Sequence, residues 1–185
     1  MRRSKSLTTI KILDAAYGLM WRQGFVRVSM DEIAERAGVS KRTLYQHFPS
    51  KDDLLGATLA HSSELAMVRL REFPVSNTPQ DLIDGLFSQL AEWAAKPRWS
   101  GGGFTRAVIE LADLQGHPAR SIARKHKAAV EEWLTDALSH AQVSSAAERA
   151  REIMLLMEGA MAMMLIHGDR DYAAAAAKAA KALIR

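Results

Sequence analysis

Apolar side chains recur at spacings of three and four along almost the whole chain, and no stretch alternates apolar and polar residues for long. Helices are therefore the means by which this sequence can bury its apolar surface, and the pattern predicts an all-α fold of about nine helices. Gly, Pro and capping residues set the expected ends. A first helix over 9–23 carries Ile12, Leu13, Ala16, Leu19 and Met20 on one stripe, with Gly24 as its stop and Phe25 as a core anchor beyond it. Ser29 and Glu32 have capping-box spacing, and Val28 and Ile33 occupy the positions of a hydrophobic staple, which predicts a short helix over 30–37. Gly38 turns the chain. Ser40 then caps a second short helix over 41–48, with Val39 and Leu44 repeating the staple.

Later boundaries follow from the same signals. Ser50 and Asp53 open a helix over 51–73, closed by Pro74; residues 75–78 read as a loop, and Thr78-Pro79 caps a helix over 79–95. The stretch 101–103 is three glycines, after which a helix is expected over 104–114. Pro118 starts a long helix with Ile122, His126, Ala129, Val130, Trp133, Leu134 and Ala137 on one face. Ser145 and Glu148 read as the cap of the eighth helix, Gly168 as its end, and an alanine-rich ninth helix follows over 171–184. The apolar run over 153–166, at about 14 residues, is too short to span a bilayer and reads as an interface helix.

Charge divides the chain. Residues 1–51 hold Arg2, Arg3, Lys5, Lys11, Arg22, Arg27, Arg36, Lys41, Arg42 and Lys51 against Asp14, Asp31, Glu32 and Glu35, whereas the remainder has slightly more acids than bases. A net excess of cations confined to one segment points to a polyanion partner there, nucleic acid first. The chain has no cysteine, which excludes a disulfide framework, a thiolate nucleophile and cysteine-ligated metal centres, and fits a cytoplasmic protein. Residues 1–6 are basic but lead into no apolar stretch, so no signal peptide is expected.

Two short helices joined by a tight glycine turn are the sequence form of a helix-turn-helix. Advancing about 100° per residue from Lys41 puts Leu44 and Phe48 on the buried side and Arg42, Thr43 and Gln46 opposite, with Lys41 and Tyr45 on one flank and His47 toward the other. No acid lies between Lys41 and Lys51. A solvated face of an ordinary bundle would show no such excess of one sign. Arg can bond guanine bidentately and Gln can bond adenine, while residues on the flanks, and Lys51 at a helix N-terminus, suit phosphate.

The segment VSMDEIAERAGVSKRTLYQHFPSK at residues 28–51 resembles the DNA-binding motif of the TetR family, and the resemblance extends over about residues 9–56. It implies a nine-helix dimeric regulator in two domains, a DNA-binding helix-turn-helix domain over 1–50 and a ligand-sensing and dimerisation domain over 51–185, usually a repressor released from a palindromic operator by a small effector. It further implies phosphate contacts from Tyr45, His47 and Lys51, capping by Ser29, and variable base readout around Arg42 and Gln46. The DNA-contacting set is thus expected to be Ser29, Ser40, Lys41, Arg42, Thr43, Tyr45, Gln46, His47 and Lys51. Beyond residue 56 the resemblance is weaker. Gly101 to Phe104, Glu110 and His117-Pro118 are similar to one branch of the family in which a cysteine often stands at the place of Gly102; with glycine there, thiol sensing is not expected.

Other candidates yield to simpler explanations. The three glycines follow no strand and precede no Lys-Ser/Thr pair, so they read as a hinge and not as a phosphate loop. The six histidines include no pair at spacing four, and neither a metal nor another cofactor is called for. A small helical enzyme would need a convergent acid–base or nucleophile set that no motif here supplies. An architectural DNA protein without an effector is the other alternative, and would lack a cavity in its C-terminal part. Aromatic residues around the glycine loop suggest an effector pocket for a small, mainly apolar molecule at Phe87, Leu90, Trp93, Phe104, Val108, His126 and Trp133. A homodimer is expected on the last two helices, through Met154, Met157, Met161 and Met164 and the alanines of 173–177.

Overall fold

Capping decides where the short N-terminal helices begin. Ser29 accepts a hydrogen bond from the Glu32 backbone N–H at 3.2 Å, and the Glu32 carboxylate accepts one from the Ser29 N–H at 2.8 Å, closing the box that the sequence predicts. Ser40 accepts from the Thr43 N–H at 3.0 Å, Ser50 from the Asp53 N–H at 3.0 Å and Thr78 from the Asp81 N–H at 3.1 Å. The computed structural model describes residues 7–74, 78–114 and 116–184. The expected loop at 75–77 and the basic residues Arg2, Arg3 and Lys5 lie outside the described residues.

Among the described residues the chain forms nine helices and no strand: α1 (Leu7–Gln23), α2 (Met30–Ala37), α3 (Lys41–His47), α4 (Lys51–Arg71), α5 (Pro79–Ala94), α6 (Gly103–Glu110), α7 (Pro118–His140), α8 (Ala146–His167) and α9 (Asp171–Leu183). The all-α expectation holds. Two local expectations do not. Ser145 sits at φ 54°, ψ 40° and its side chain caps nothing, because a left-handed residue does not present its hydroxyl to the first helical N–H groups as an extended one does. Helix α6 ends at Glu110, four residues early, and the chain leaves it through turns. No described helix is long and apolar enough to cross a membrane.

The chain forms two compact units. The first comprises residues up to Ala66 together with Gly103–Lys125, so the helix-turn-helix shares its unit with most of α4, with α6 and with the start of α7. Its core gathers Ile12, Leu13 and Met20 of α1, Ile33 of α2, Leu44 of α3, Leu54, Leu55 and Leu59 of α4, and Phe104 and Ala107 of α6 around Phe25 and Val28. Each such buried aliphatic side chain contributes about 1.5–3 kcal/mol relative to exposure. Trp21 stands edge-on to Phe25 and Phe104, at centroid distances of 5.7 and 6.2 Å. A Cβ at Gly103 would lie 1.8 Å from Cζ2 of Trp21, so at the last of the three glycines α6 is pressed onto α1 and a side chain would not fit.

Polar contacts reinforce that packing. The Glu110 carboxylate accepts hydrogen bonds from the backbone N–H groups of Phe25 at 2.7 Å and Val26 at 3.2 Å, and from Arg106 Nε at 2.6 Å. Arg106 Nη1 donates to the Trp21 carbonyl at 3.2 Å. The carboxylate thus satisfies backbone donors left over where α1 ends, and fixes the turn that leads into α2.

The second unit comprises Met67–Gly102 and the chain from His126 onward. Leu82, Ile83, Leu86, Phe87 and Leu90 of α5 pack with Leu134 and Leu138 of α7, Ile153, Met161 and Met164 of α8, and Ala173, Ala177 and Ala180 of α9. Alanine along the inward side of α9 lets helix backbones approach closely, and Lys181 Nζ clamps α9 to α5 through Asp84 at 2.7 Å. Met161 and Met164, expected at a dimer interface, are buried inside this unit, and Met154 and Met157 pack half-buried against the same cluster. Their flexible thioethers fill the core of their own chain. The outward stripe of α8 is Leu155, Gly159, Ala162 and Ile166, and that of α9 is Ala174, Ala175, Ala179 and Ala182 with Lys178.

Candidate nucleic-acid interface

The turn between α2 and α3 needs glycine for its backbone and not for space. Gly38 adopts φ 65°, ψ 36°, and nothing lies within 4 Å of where its Cβ would be. In that left-handed conformation its N–H reaches the carbonyls of Ala34 and Glu35 and ends α2, and Ser40 restarts the helix two residues on. The hydrogen bonds that Ser29 donates, from its backbone first and then its hydroxyl, hold the Glu32 carboxyl below its ordinary pKa, so the cap is present at any pH near neutral.

Packing fixes which side of α3 faces outward. Leu44 is fully buried and Phe48 nearly so, whereas Lys41, Arg42, Tyr45, Gln46 and His47 are exposed and Thr43 is half-buried beside the Ser40 hydroxyl, at 2.8 Å. Among the described residues, Arg42 and Gln46 make no side-chain hydrogen bond or ion pair. Their polar groups are therefore available to an incoming ligand without first breaking a contact. The flanks are more engaged. Lys41 Nζ lies 2.8 Å from Asp31 Oδ1 of α2, and this hydrogen-bonded ion pair raises the pKa of the ammonium. His47 Nδ1 and the Thr9 hydroxyl of α1 are 3.1 Å apart. Lys51 Nζ donates to the Val26 carbonyl at 2.5 Å, bracing the turn before α2 against the start of α4.

The arrangement gives α3 an uninterrupted polar outer face with Arg, Gln, Tyr, Lys and His side chains, carried on a helix whose other side is locked into a core. Such a face suits insertion into a DNA groove. Asp31 and Thr9, which pair with the flanking residues, were not legible in the sequence. Asp31 and Lys41 stand ten positions apart across the Gly38 turn, and their pairing follows only from how α2 and α3 cross.

The residues expected to line an effector pocket are shared between the two units. Phe87 and Leu90 are buried in the core of the second unit, with Trp93 and Trp133 half-buried against it and His126 buried in the same unit. Phe104 and Val108 belong to the core of the first unit. Burial disfavours the charged form of His126 and pushes its pKa down to about 4, with Lys127 acting in the same sense and Glu158 against it. Among the described residues no group of three metal-ligating side chains comes together.

Comparison with known proteins gives this geometry a family. Residues 12–58, from α1 into α4, match the profile of the bacterial regulatory proteins of the tetR family. The chain is 24% identical over 176 residues to the HTH-type transcriptional regulator YjdC of Escherichia coli, covering 94% of this chain and 92% of that protein. It is 39% identical over 99 residues to the HTH-type transcriptional repressor KstR of Rhodococcus jostii, covering 54% of this chain and 46% of that one. The crystal structure of a TetR-type transcriptional regulator from Streptomyces avermitilis superposes with a TM-score of 0.77 at 29% identity, over 95% of this chain and 99% of the other. With its helix-turn-helix folded as described, the chain carries the DNA-binding domain of the tetR family of bacterial regulatory proteins over residues 12–58, and it is similar to transcriptional regulators of that family almost end to end.

Proposed function

We propose that the protein is a cytoplasmic, non-catalytic repressor that binds a near-palindromic operator as a homodimer and is released by a small effector. The observation that carries this reading is the outer face of α3, where Arg42 and Gln46 are exposed and unengaged. In this reading α3 enters the major groove, Arg42 and Gln46 read base edges, and Thr43 packs against the groove floor. Lys41, Tyr45, His47 and Lys51 hold phosphates, and Ser29 and Ser40 present helix N-termini to the backbone. The bond from Lys51 to the Val26 carbonyl leaves its ammonium two further protons for phosphate.

Dimerisation is supported by the outward stripes of α8 and α9. From Leu155 to Ile166 the exposed line Leu155, Gly159, Ala162 and Ile166 contains no charge, and Leu155 and Ile166 are 70% and 68% exposed. Apolar side chains so exposed on α8, with small residues between them and a line of exposed alanines on α9, match a twofold self-contact. Half-sites would then lie about one helical turn of DNA apart or a multiple of it.

Effector recognition belongs to the second unit in this reading, and linkage requires the operator to weaken effector binding by the factor by which the effector weakens operator binding. Selecting fragments of the source genome on the immobilised protein, followed by footprinting, tests the reading. It expects a protected near-palindrome with two equivalent half-sites. Retention of all fragments alike, with no footprint, would replace it with a purely architectural role.

A further inference from the structure

Within the second unit, a hollow of about 470 Å³ opens between the end of α5, the loop that follows it and the junction of α8 with α9. Its volume falls in the range of small-molecule sites. Its walls are of two kinds. Trp99, Met164 and Leu165 supply an apolar side, and Lys96, Arg98 and Arg170 supply three cations, with no acidic residue in the lining. None of these three side chains has a hydrogen bond or ion pair among the described residues. The indole Nε1 of Trp99 is buried and has no hydrogen-bond acceptor, while its ring is held edge-on to Trp93 at 5.8 Å. Trp99 is thus fixed by one aromatic neighbour and leaves a donor unused.

A simpler account would give each cation to a helix end, since carbonyls at the C-termini of α5 and α8 favour positive charge. That account explains Lys96 and Arg170 one at a time. It does not explain why Arg98 joins them around one apolar hollow. An occupant with a carboxylate and an apolar body does. The carboxylate accepts charge-assisted hydrogen bonds from the guanidinium groups, and the body covers Trp99, Met164 and Leu165.

We propose that this hollow is the binding site of a small amphipathic organic anion, an aromatic or aliphatic carboxylate. The class differs from the mainly apolar effector that the aromatic residues alone suggested. The site is also distinct from the stripe assigned to self-association, because Leu165 lies about a quarter of a helical turn away from the line of Leu155, Ala162 and Ile166. That the anion is the effector rests on the repressor reading above; that it binds here does not.

Calorimetric titration of the full chain, free of DNA, with 2-naphthoate and with its uncharged counterpart 2-naphthamide tests the site. The expected result is one 2-naphthoate per chain, with the amide at least tenfold weaker. The triple variant Lys96→Gln, Arg98→Gln, Arg170→Gln should bind 2-naphthoate at least tenfold more weakly while keeping the wild-type melting temperature, since all three side chains are exposed. Equal affinity for acid and amide, unchanged affinity in the triple variant, or no binding at millimolar 2-naphthoate would overturn the proposal. A triple variant that loses operator affinity, in a protein that binds no 2-naphthoate, would overturn it in favour of a DNA-phosphate contact. An operator complex is then titrated separately. Binding abolished by the triple variant, with operator affinity unmoved at saturation, would uphold the site and overturn its role as the effector site.

Discussion

Helices α2 and α3 and helices α8 and α9 solve the same problem by opposite means. The first pair has 8 and 7 residues, too few to stand alone, and each begins with a closed side-chain cap. The second pair has 22 and 13 residues, and in neither does the N-cap residue bond the helix with its side chain, although Asp169 accepts from the Asp171 N–H of α9 at 2.9 Å; length, alanine content and mutual packing carry these helices. Their outer faces differ correspondingly. That of α3 is polar and cationic, and that of α8 is apolar with small residues. In the function proposed above, a short, firmly ended helix with a charged outside suits being held rigidly against a polyanion, and a long helix with an apolar outside suits being covered by a second copy.

The largest effect should come from charging the apolar face. Leu155→Glu combined with Ile166→Glu places carboxylates where two copies would meet, while both positions are exposed in the single chain. The expected outcome is a monomer in light scattering with helicity retained, and operator affinity lower by at least 100-fold because two half-sites are no longer bound together. A dimer of undiminished stability would remove the self-association role from this face.

The two styles of helix start should separate next. Ser29→Ala removes one half of a closed capping box and should cost about 1 kcal/mol in a denaturant titration, whereas Ser145→Ala removes a hydroxyl that caps nothing and should cost a few tenths at most. Equal losses would mean that the caps do not distinguish the two pairs.

Acid should act on the second unit through His126. Its pKa is depressed to about 4 in the folded chain, so the unfolded chain takes up the proton first as pH falls through the ordinary histidine value. The stability this group contributes is complete above about pH 6.5 and is lost progressively down to about pH 4, with Lys127 and Glu158 as the charges beside it. Unfolding of wild type and His126→Gln, compared between pH 7 and 4.5, should show a shallower fall for the variant. Parallel curves would mean that His126 is as readily protonated folded as unfolded.

A smaller effect is expected at the edge of the DNA-facing helix. Asp31 pairs with Lys41 at the surface, where such pairs stabilise little. Asp31→Asn should leave stability within about 0.5 kcal/mol and strengthen DNA binding roughly two- to fivefold at low salt, by freeing Lys41 and removing a like charge from the phosphates. Weaker binding would show that Asp31 positions Lys41 for its contact.

The contrast between the helix pairs also explains what was legible in the sequence. Gly38, Ser29, Glu32 and Ser40 act within a few residues, so the positions of α2 and α3 and the outward side of α3 could be read from spacing alone. Gly103 against Trp21, and Glu110 against the N–H groups of Phe25 and Val26, join segments more than 80 residues apart, and no local pattern announces them. The methionines of α8 misled for a related reason. Apolarity around most of a helix does not say which side meets its own chain, and only the packing of α5 and α9 against it decides. Of the residues grouped as one pocket, Phe104 and Val108 belong to the first core and Phe87, Leu90, Trp93 and Trp133 to the second, an assignment that depends on long-range packing.

Whether the exposed face of α3 reads DNA sequence is decided by Arg42→Ala. Wild type and variant are titrated by footprinting against the selected operator and a scrambled site at several salt concentrations. A base-reading Arg42 requires a loss of roughly 1–3 kcal/mol per half-site on the operator, relaxed preference at one base position and little change on the scrambled site. An Arg42→Ala protein that binds the operator as tightly and as selectively as wild type would contradict it.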